Sequence, residues 1–224
     1  MILLRSDMRD ICSRPMISKV FGMAFLLLLD HASFSQNPSG AQTEGSWQKS
    51  HVFTSLEEAV QARNQGIPIY RLDLSKKRLK ECPPAIATWS EIRELNLSQN
   101  KIAELDLDLC ALVHLEKFSA ASNRLSHFPG SVLSWNQLTE LDLGDNYIDS
   151  IPMDIDALSE LKKLTLWSNV IGYYPASLGD LPKLEWLDLQ LNDMTLEEQE
   201  ALKSWLPNRV DLNLSPPCRC VFDE

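Results

Sequence analysis

From about residue 70 onward, apolar and polar positions alternate in short bursts, each followed by an irregular segment of constant length. The stretch Leu138 to Ile148, L-T-E-L-D-L-G-D-N-Y-I, shows the unit: apolar at its first, fourth, sixth and eleventh positions, with Asn at its ninth. That ninth position returns as Asn100, Asn123, Asn146, Asn169 and Asn192, each 23 residues from the last. One step earlier the register falls on Lys77, inside I-Y-R-L-D-L-S-K-K-R-L, a first copy that lacks only the Asn. A fixed period of this length predicts stacked repeats. Within one frame Leu141 and Leu143 point to one side of a strand, and Glu140, Asp142 and Gly144 to the other. A lone strand of this kind cannot bury its apolar side, but beside identical strands about 4.8 Å away it joins a parallel sheet backed by a continuous core.

The 12 residues between Ile148 and Leu161 allow a turn and a short helical or extended return, not a full crossover helix with loops. These returns keep phase. Five residues past the marker stand Cys82, Leu105, Phe128, Ile151 and Tyr174, four of them followed by Pro. Nine past it come Ile86, Leu109, Val132, Ile155 and Leu178, and twelve past it Trp89, Leu112, Trp135, Leu158 and Leu181. Each column reads as a stack filling the interior from the convex side. At the Asn the chain bends off the strand, and a buried amide can both donate to and accept from the backbone groups stranded there. The asparagines are therefore architecture. Over residues 51–215 the pattern resembles the leucine-rich repeat family, in its 23-residue form with an x-L-P-x-x-I-like return. The resemblance implies an α/β solenoid: a horseshoe with a concave parallel sheet, short helical or extended returns outside, and a recognition role for the concave surface.

The ends depart from the period. Arg5, Arg9, Arg14 and Lys19 precede the apolar run Val20 to Leu29, and Ala32-Ser-Phe-Ser-Gln36 follows, a pattern that predicts a signal peptide over 1–35 cut before Gln36. The long basic segment leaves Met1 and Met16 as alternative starts, and the apolar run is too short to span a bilayer. Residues 36–50 read as a flexible leader. Ser55-Leu-Glu-Glu58 reads as a capping box opening a helix through Gln65, ended by Gly66 and Pro68, so 51–68 form an N-terminal cap. Six repeats occupy 69–194. A second box, Thr195-Leu-Glu-Glu198, opens a C-terminal cap over 195–224, with apolar Leu196, Leu202, Trp205 and Leu206, then an edge strand Val210 to Leu214. On the 23-residue count Val210 and Leu212 hold phase and Ser215 replaces the Asn. Such caps are expected because a repeat stack otherwise ends in an open sheet edge and an open core.

Composition narrows the chemistry. Removing the leader's four basic and three acidic residues from 21 and 31 leaves 17 and 28, a strongly acidic chain that should repel nucleic acid and anionic membranes. No Gly-rich phosphate loop or H-E-x-x-H motif is present. Cys82 sits in a core column, and Cys110 is about five strand spacings, ~24 Å, from the C-terminal strand, which argues against a bond to Cys218 or Cys220. Cys218-Arg-Cys220 suits an interchain or tail-closing bond better than a metal site. His31, His51, His114 and His127 are scattered, with His114 and His127 expected at solvent edges. Neither a catalytic set nor a cofactor is expected, and stacked short strands offer no deep pocket.

The outward positions three, five and seven should line the concave surface. Across the first three rows they are small and polar. The later rows place Glu140 and Asp142, then Lys163, Thr165 and Trp167, then Trp186, Asp188 and Gln190. A tryptophan in each of the last two rows, flanked by charges, has the composition of an interface hot spot. The plainer alternative is that both indoles shield neighbouring strands, with Lys163 over Trp186. The expectation is a secreted or cell-envelope, non-enzymatic protein that binds a protein or peptide partner through these eight residues, without membrane insertion. A glycan stacked on the two tryptophans is the alternative partner.

Overall fold

The computed structural model describes residues 47–105 and 109–217. The stretch read as a signal peptide, most of the one read as a leader, and Cys218-Arg-Cys220 lie outside them. Eight parallel strands form one open sheet in sequence order: β1 (Val52–Phe53), β2 (Arg71–Asp73), β3 (Glu94–Asn96), β4 (Lys117–Ser119), β5 (Glu140–Asp142), β6 (Lys163–Thr165), β7 (Trp186–Asp188) and β8 (Asp211–Asn213). From β2 to β7 each strand pairs with the next at the 23-residue period, as in Arg71 with Glu94 and Lys163 with Trp186. Helix α1 (Leu56–Asn64) precedes β2, and α2 (Leu196–Trp205) joins β7 to β8. The returns between are single 3-10 turns, such as Pro84–Thr88 and Ala176–Asp180.

The alternation works as read. Fourth- and sixth-position side chains are shut away, from Leu72 and Leu74 to Leu187 and Leu189, and the return columns meet them from behind. Ile86, Leu109, Val132, Ile155 and Leu178 have no accessible surface. Trp135, fully buried, donates its indole N–H to the Leu109 carbonyl at 3.0 Å and meets Phe118 edge-on at 5.0 Å. Only Phe128 in these columns is merely half-buried.

Each Asn makes one common set of bonds, to which Asn100 adds a second accepted N–H. Asn146 Oδ1 accepts from Leu125 N at 3.0 Å, while its Nδ2 donates to Leu143, Gly144 and Ala120 carbonyls at 3.0–3.1 Å. The amide thus stitches its own bend to the preceding repeat. That bend is tighter than the sequence suggests. The eighth position is left-handed in every repeat: Lys76, Gln99, Ser122, Asp145, Ser168 and Leu191 have φ between 53° and 59°. None is glycine, so each carries a steric cost of roughly 1–2 kcal/mol. The Asn bonds beside them offset it.

The ends correct several expectations. A flexible leader through Ser50 stops short, because Trp47–Lys49 is a 3-10 turn with Trp47 buried. β1, a strand ahead of the six repeats and the edge strand read from the sequence, puts Phe53 beside Leu72 in the core. Only half of the first capping box forms. Ser55 Oγ accepts from Glu58 N at 3.4 Å, but the Glu58 carboxylate turns to His51 Nε2 at 3.2 Å. The second box is complete, with Glu198 Oε2 accepting from Thr195 N at 2.7 Å. In α2 Leu202 is buried, whereas Leu196 and Trp205 are exposed. The carbonyl of Trp205 lies where a Cβ on Gly179 would be, 2.3 Å from it, so glycine there lets α2 close on the last return.

The final strand is two residues out of the 23-residue phase. Leu187 pairs with Leu212, not Val210, because a helical return consumes two more residues than a 3-10 turn. Ser215 consequently falls at the seventh position rather than the ninth. Elsewhere the seventh-position carbonyl accepts from the eighth-position N–H of the preceding repeat, as in Ser168 N to Gln190 O at 2.7 Å. Here the Ser215 hydroxyl takes that N–H, from Leu191 at 2.8 Å, and frees its carbonyl for Gln199 Nε2 at 3.0 Å.

Candidate interaction surface

The third positions form a column of alternating charge across the concave face: Arg71, Glu94, Lys117, Glu140, Lys163, then Trp186 and Asp211. Parallel register places each beside its neighbour, so opposite charges meet. Arg71 Nε contacts Glu94 Oε2 at 2.7 Å, and Lys117 pairs with Glu140. Lys163 Nζ stands 5.9 Å from the Trp186 ring centroid. These groups are half-exposed, so each pair is worth little to stability but presents fixed charge to a visitor.

Four of the six fifth positions hold Asp or Asn where the strand ends, and Ser119 and Thr165 fill the other two. Each of the four turns back to accept from the N–H two residues on: Asp73 from Ser75 at 2.9 Å, Asn96 from Ser98 at 2.9 Å, Asp142 from Gly144 at 3.1 Å and Asp188 from Gln190 at 3.1 Å. They are therefore not the freely solvated ladder expected of them. At Asp142 burial pushes the carboxyl above the usual carboxylate range. Hydrogen bonds from Gly144 N and the Ser119 hydroxyl, and the nearby Lys163, oppose that rise, while the charge of Asp188 adds to it.

A shallow depression of about 260 Å³ opens over β3 to β6, rimmed by Glu94, Lys117, Glu140, Asp142, Lys163 and Thr165. The eight residues singled out in the sequence thus divide. Glu140, Asp142, Lys163 and Thr165 border this depression; Trp167, Trp186, Asp188 and Gln190 lie beyond it, toward the C-terminal end. Glu94 and Lys117 were passed over as ordinary, although the opposite-charge step from one repeat to the next was their signal.

Neither tryptophan stands clear of the protein. Both are half-buried. The Trp167 indole lies across Gly144: a Cβ there would sit 2.2 Å from its Nε1 and 2.4 Å from its Cδ1. The seventh position of the preceding repeat thus makes room for the ring, and Trp186 is engaged by Lys163. The shielding contacts weighed against a hot spot are present.

Other candidate chemistry is inert or scattered. Cys82 is buried and its thiol is pushed up to about 12, which removes it as a nucleophile at neutral pH. It is the free thiol among the described residues; Cys110, to which the sequence reading gave no partner, is disulfide-bonded. His114 is half-buried with its Nδ1 enclosed and unpartnered, unlike the solvent-edge position expected, whereas exposed His127 meets Asp149 at 3.4 Å. Among the described residues no cluster of His, Cys, Asp and Glu suits a metal ion.

With this geometry in view, the comparisons agree. The leucine-rich repeat model matches residues 136–194. A leucine-rich repeat protein of Leptospira interrogans superposes with a TM-score of 0.58 at 25% identity, over 75% of this chain and 49% of its own. Internalin C2 of Listeria monocytogenes gives 0.55 at 24% identity, over 66% of this chain and 62% of its own. A plant peptide hormone receptor, RGFR1 in complex with RGF2, gives 0.50 at 26% identity, over 58% of this chain and 21% of the receptor. The chain therefore spans about half of the Leptospira protein and a fifth of the plant receptor. No curated protein sequence matches. Residues 136–194 thus carry the leucine-rich repeat sequence, and the described chain has the leucine-rich repeat fold.

Proposed function

We propose that this is an exported, non-enzymatic binding protein whose concave sheet receives a protein or peptide. The observation that carries the reading is the charge-lined depression over β3 to β6 on a pre-formed sheet. Eight strands at about 4.8 Å spacing, each some five residues long, give ~34 Å by ~17 Å, which with the flanking loops approaches the ~800 Å² that each partner contributes to an ordinary interface. The resemblance to a receptor solved with its peptide RGF2 points the same way. Export rests on the basic-then-apolar pattern of residues 1–35. No helix among the described residues is long and apolar enough to cross a membrane. The binding residues are Glu140, Asp142, Lys163, Thr165, Trp167, Trp186, Asp188 and Gln190, joined by Glu94 and Lys117. With one face of each indole already engaged, the glycan reading is not carried further.

The test is affinity capture from envelope and medium of the source organism, followed by titration of the captured protein against charge reversals. Lys117→Glu and Lys163→Glu should each weaken binding by about 2 kcal/mol or more if they lie at the centre of the interface, with folding stability little changed. Equal affinity for both variants and the parent would refute the concave reading.

A further inference from the structure

The edge of the stack where the chain leaves each strand carries a second pattern, independent of the concave face. The tenth frame position, just past each Asn, reads Arg78, Lys101, Arg124, Tyr147 and Val170 from the first repeat to the fifth. The backbone holds the last four in a row, each N–H donating to the eleventh-position carbonyl one repeat back: Lys101 to Leu79 at 2.7 Å, Arg124 to Ile102 at 2.8 Å, Tyr147 to Leu125 at 2.8 Å and Val170 to Ile148 at 3.1 Å, while Arg78, in the first repeat, sits in the left-handed region at φ 60°. The row is thus three cations followed by two apolar side chains, all of them exposed. Tyr147 is 61% and Val170 57% accessible, and Leu191, two columns away in the sixth repeat, is 63%.

Two features set the row apart from ordinary surface. The first is the run itself: three cations in consecutive repeats of one column, which, like Lys76, Lys77, Lys80, Lys162 and Lys203, make no ion pair among the described residues. On a chain of net charge −10, unneutralised cations in a line are a local reversal of sign. The second is Leu191, a bulky apolar residue held at φ 56° and left in water. A branched side chain gains nothing there from folding and adds to the cost of the left-handed bend.

We propose that this edge docks an extended peptide segment of a partner protein, acidic at one end and aromatic or aliphatic at the other. The acidic end lies along Arg78, Lys101 and Arg124, and the apolar end covers Tyr147, Val170 and Leu191. Charge complementarity sets the direction. From Arg78 to Val170 is four repeat spacings, ~19 Å, which about six extended residues cover. Asp145, exposed in the eighth column of the fourth repeat, marks the border and disfavours acid beyond it.

Fluorescence anisotropy on the full chain tests this with two labelled probes, Glu-Glu-Asp-Gly-Phe-Leu and its reverse. One order should bind more tightly than the other. Arg124→Glu and Tyr147→Ser should each weaken that binding about five-fold or more, the first effect shrinking with added salt and the second not. Lys163→Glu on the concave face should leave it unchanged, which separates this surface from the one proposed above. All three sites are exposed, and circular dichroism confirms that each variant is folded. Binding of neither probe, or equal binding by the parent, Arg124→Glu and Tyr147→Ser, would overturn the proposal. So would concentration-dependent self-association abolished by Tyr147→Ser, since the occupant would then be a second copy.

Discussion

Replacing Asn146 by alanine tests the ladder. The substitution deletes one acceptor and one donor group, and the neighbours decide what that costs. Asn146 Oδ1 is the acceptor for Leu125 N–H, which is left buried and unpaired. The carbonyls are better insured: Ala120 O also accepts from Asn123 Nδ2 at 2.9 Å, and Leu143 O from Asn169 Nδ2 at 3.1 Å. Gly144 O likewise keeps Ser122 N at 2.8 Å. One orphaned N–H costs about 1–3 kcal/mol, and three weakened carbonyls add less than a full bond each, so the loss should be on the order of 2–3 kcal/mol. Asn100→Ala should cost more than Asn146→Ala. It strands both Lys77 N–H and Leu79 N–H, and Leu74 O, which has no asparagine before it in the stack to share the load. Urea denaturation followed by circular dichroism measures both, with Tyr147→Ala, exposed and adjacent, as the control expected to fall within about 0.5 kcal/mol of the parent. If Asn146→Ala unfolds at the same midpoint as that control, the asparagines are turn formers and the ladder is not what holds the bends.

Three further expectations follow from the same geometry. Burial raises the Asp142 carboxyl, so its contribution to stability is complete below the ordinary carboxylate range and is lost as pH rises through the raised value. Asp142→Asn keeps the acceptor for Gly144 N, as Asn96 does for Ser98, and should be the more stable form at pH 7 with an advantage that vanishes toward pH 3; a parent that gains on the variant at neutral pH would contradict this. Gly144→Ala should destabilise by about 1–3 kcal/mol by driving a methyl into the Trp167 indole, and the added substitution Trp167→Ala should recover part of the loss; strictly additive losses would show that the two do not touch. Deleting residues 47–66 removes Trp47, Phe53, Ala59 and Ala62 from the end of the core and should cause aggregation or a broad transition, whereas a soluble, sharply unfolding product would mean that α1 and β1 are dispensable.

Period, strand direction, core columns and the burial of the asparagines were all legible in the residues, because a parallel stack repeats one environment and so repeats one pattern. Local chemistry was equally readable at Thr195, whose capping box depends on residues within one turn. What failed had longer reach. Phe53 joins the sheet 19 residues before Leu72, off the period, so no spacing announced it. Glu58 deserted its cap for His51, a partner supplied by β1's approach. Counting placed Ser215 at the ninth position, but the rise and width of α2 set the last register, and only packing fixes how many residues a helical return consumes. Trp167 was legible as an aromatic out of place, yet its purpose required knowing that Gly144 lies beneath it one repeat earlier. The left-handed eighth position left no trace in composition at all: Lys, Gln, Ser, Asp and Leu occupy it, because the strain of each bend is offset by the neighbouring repeat and not by the residue that bears it.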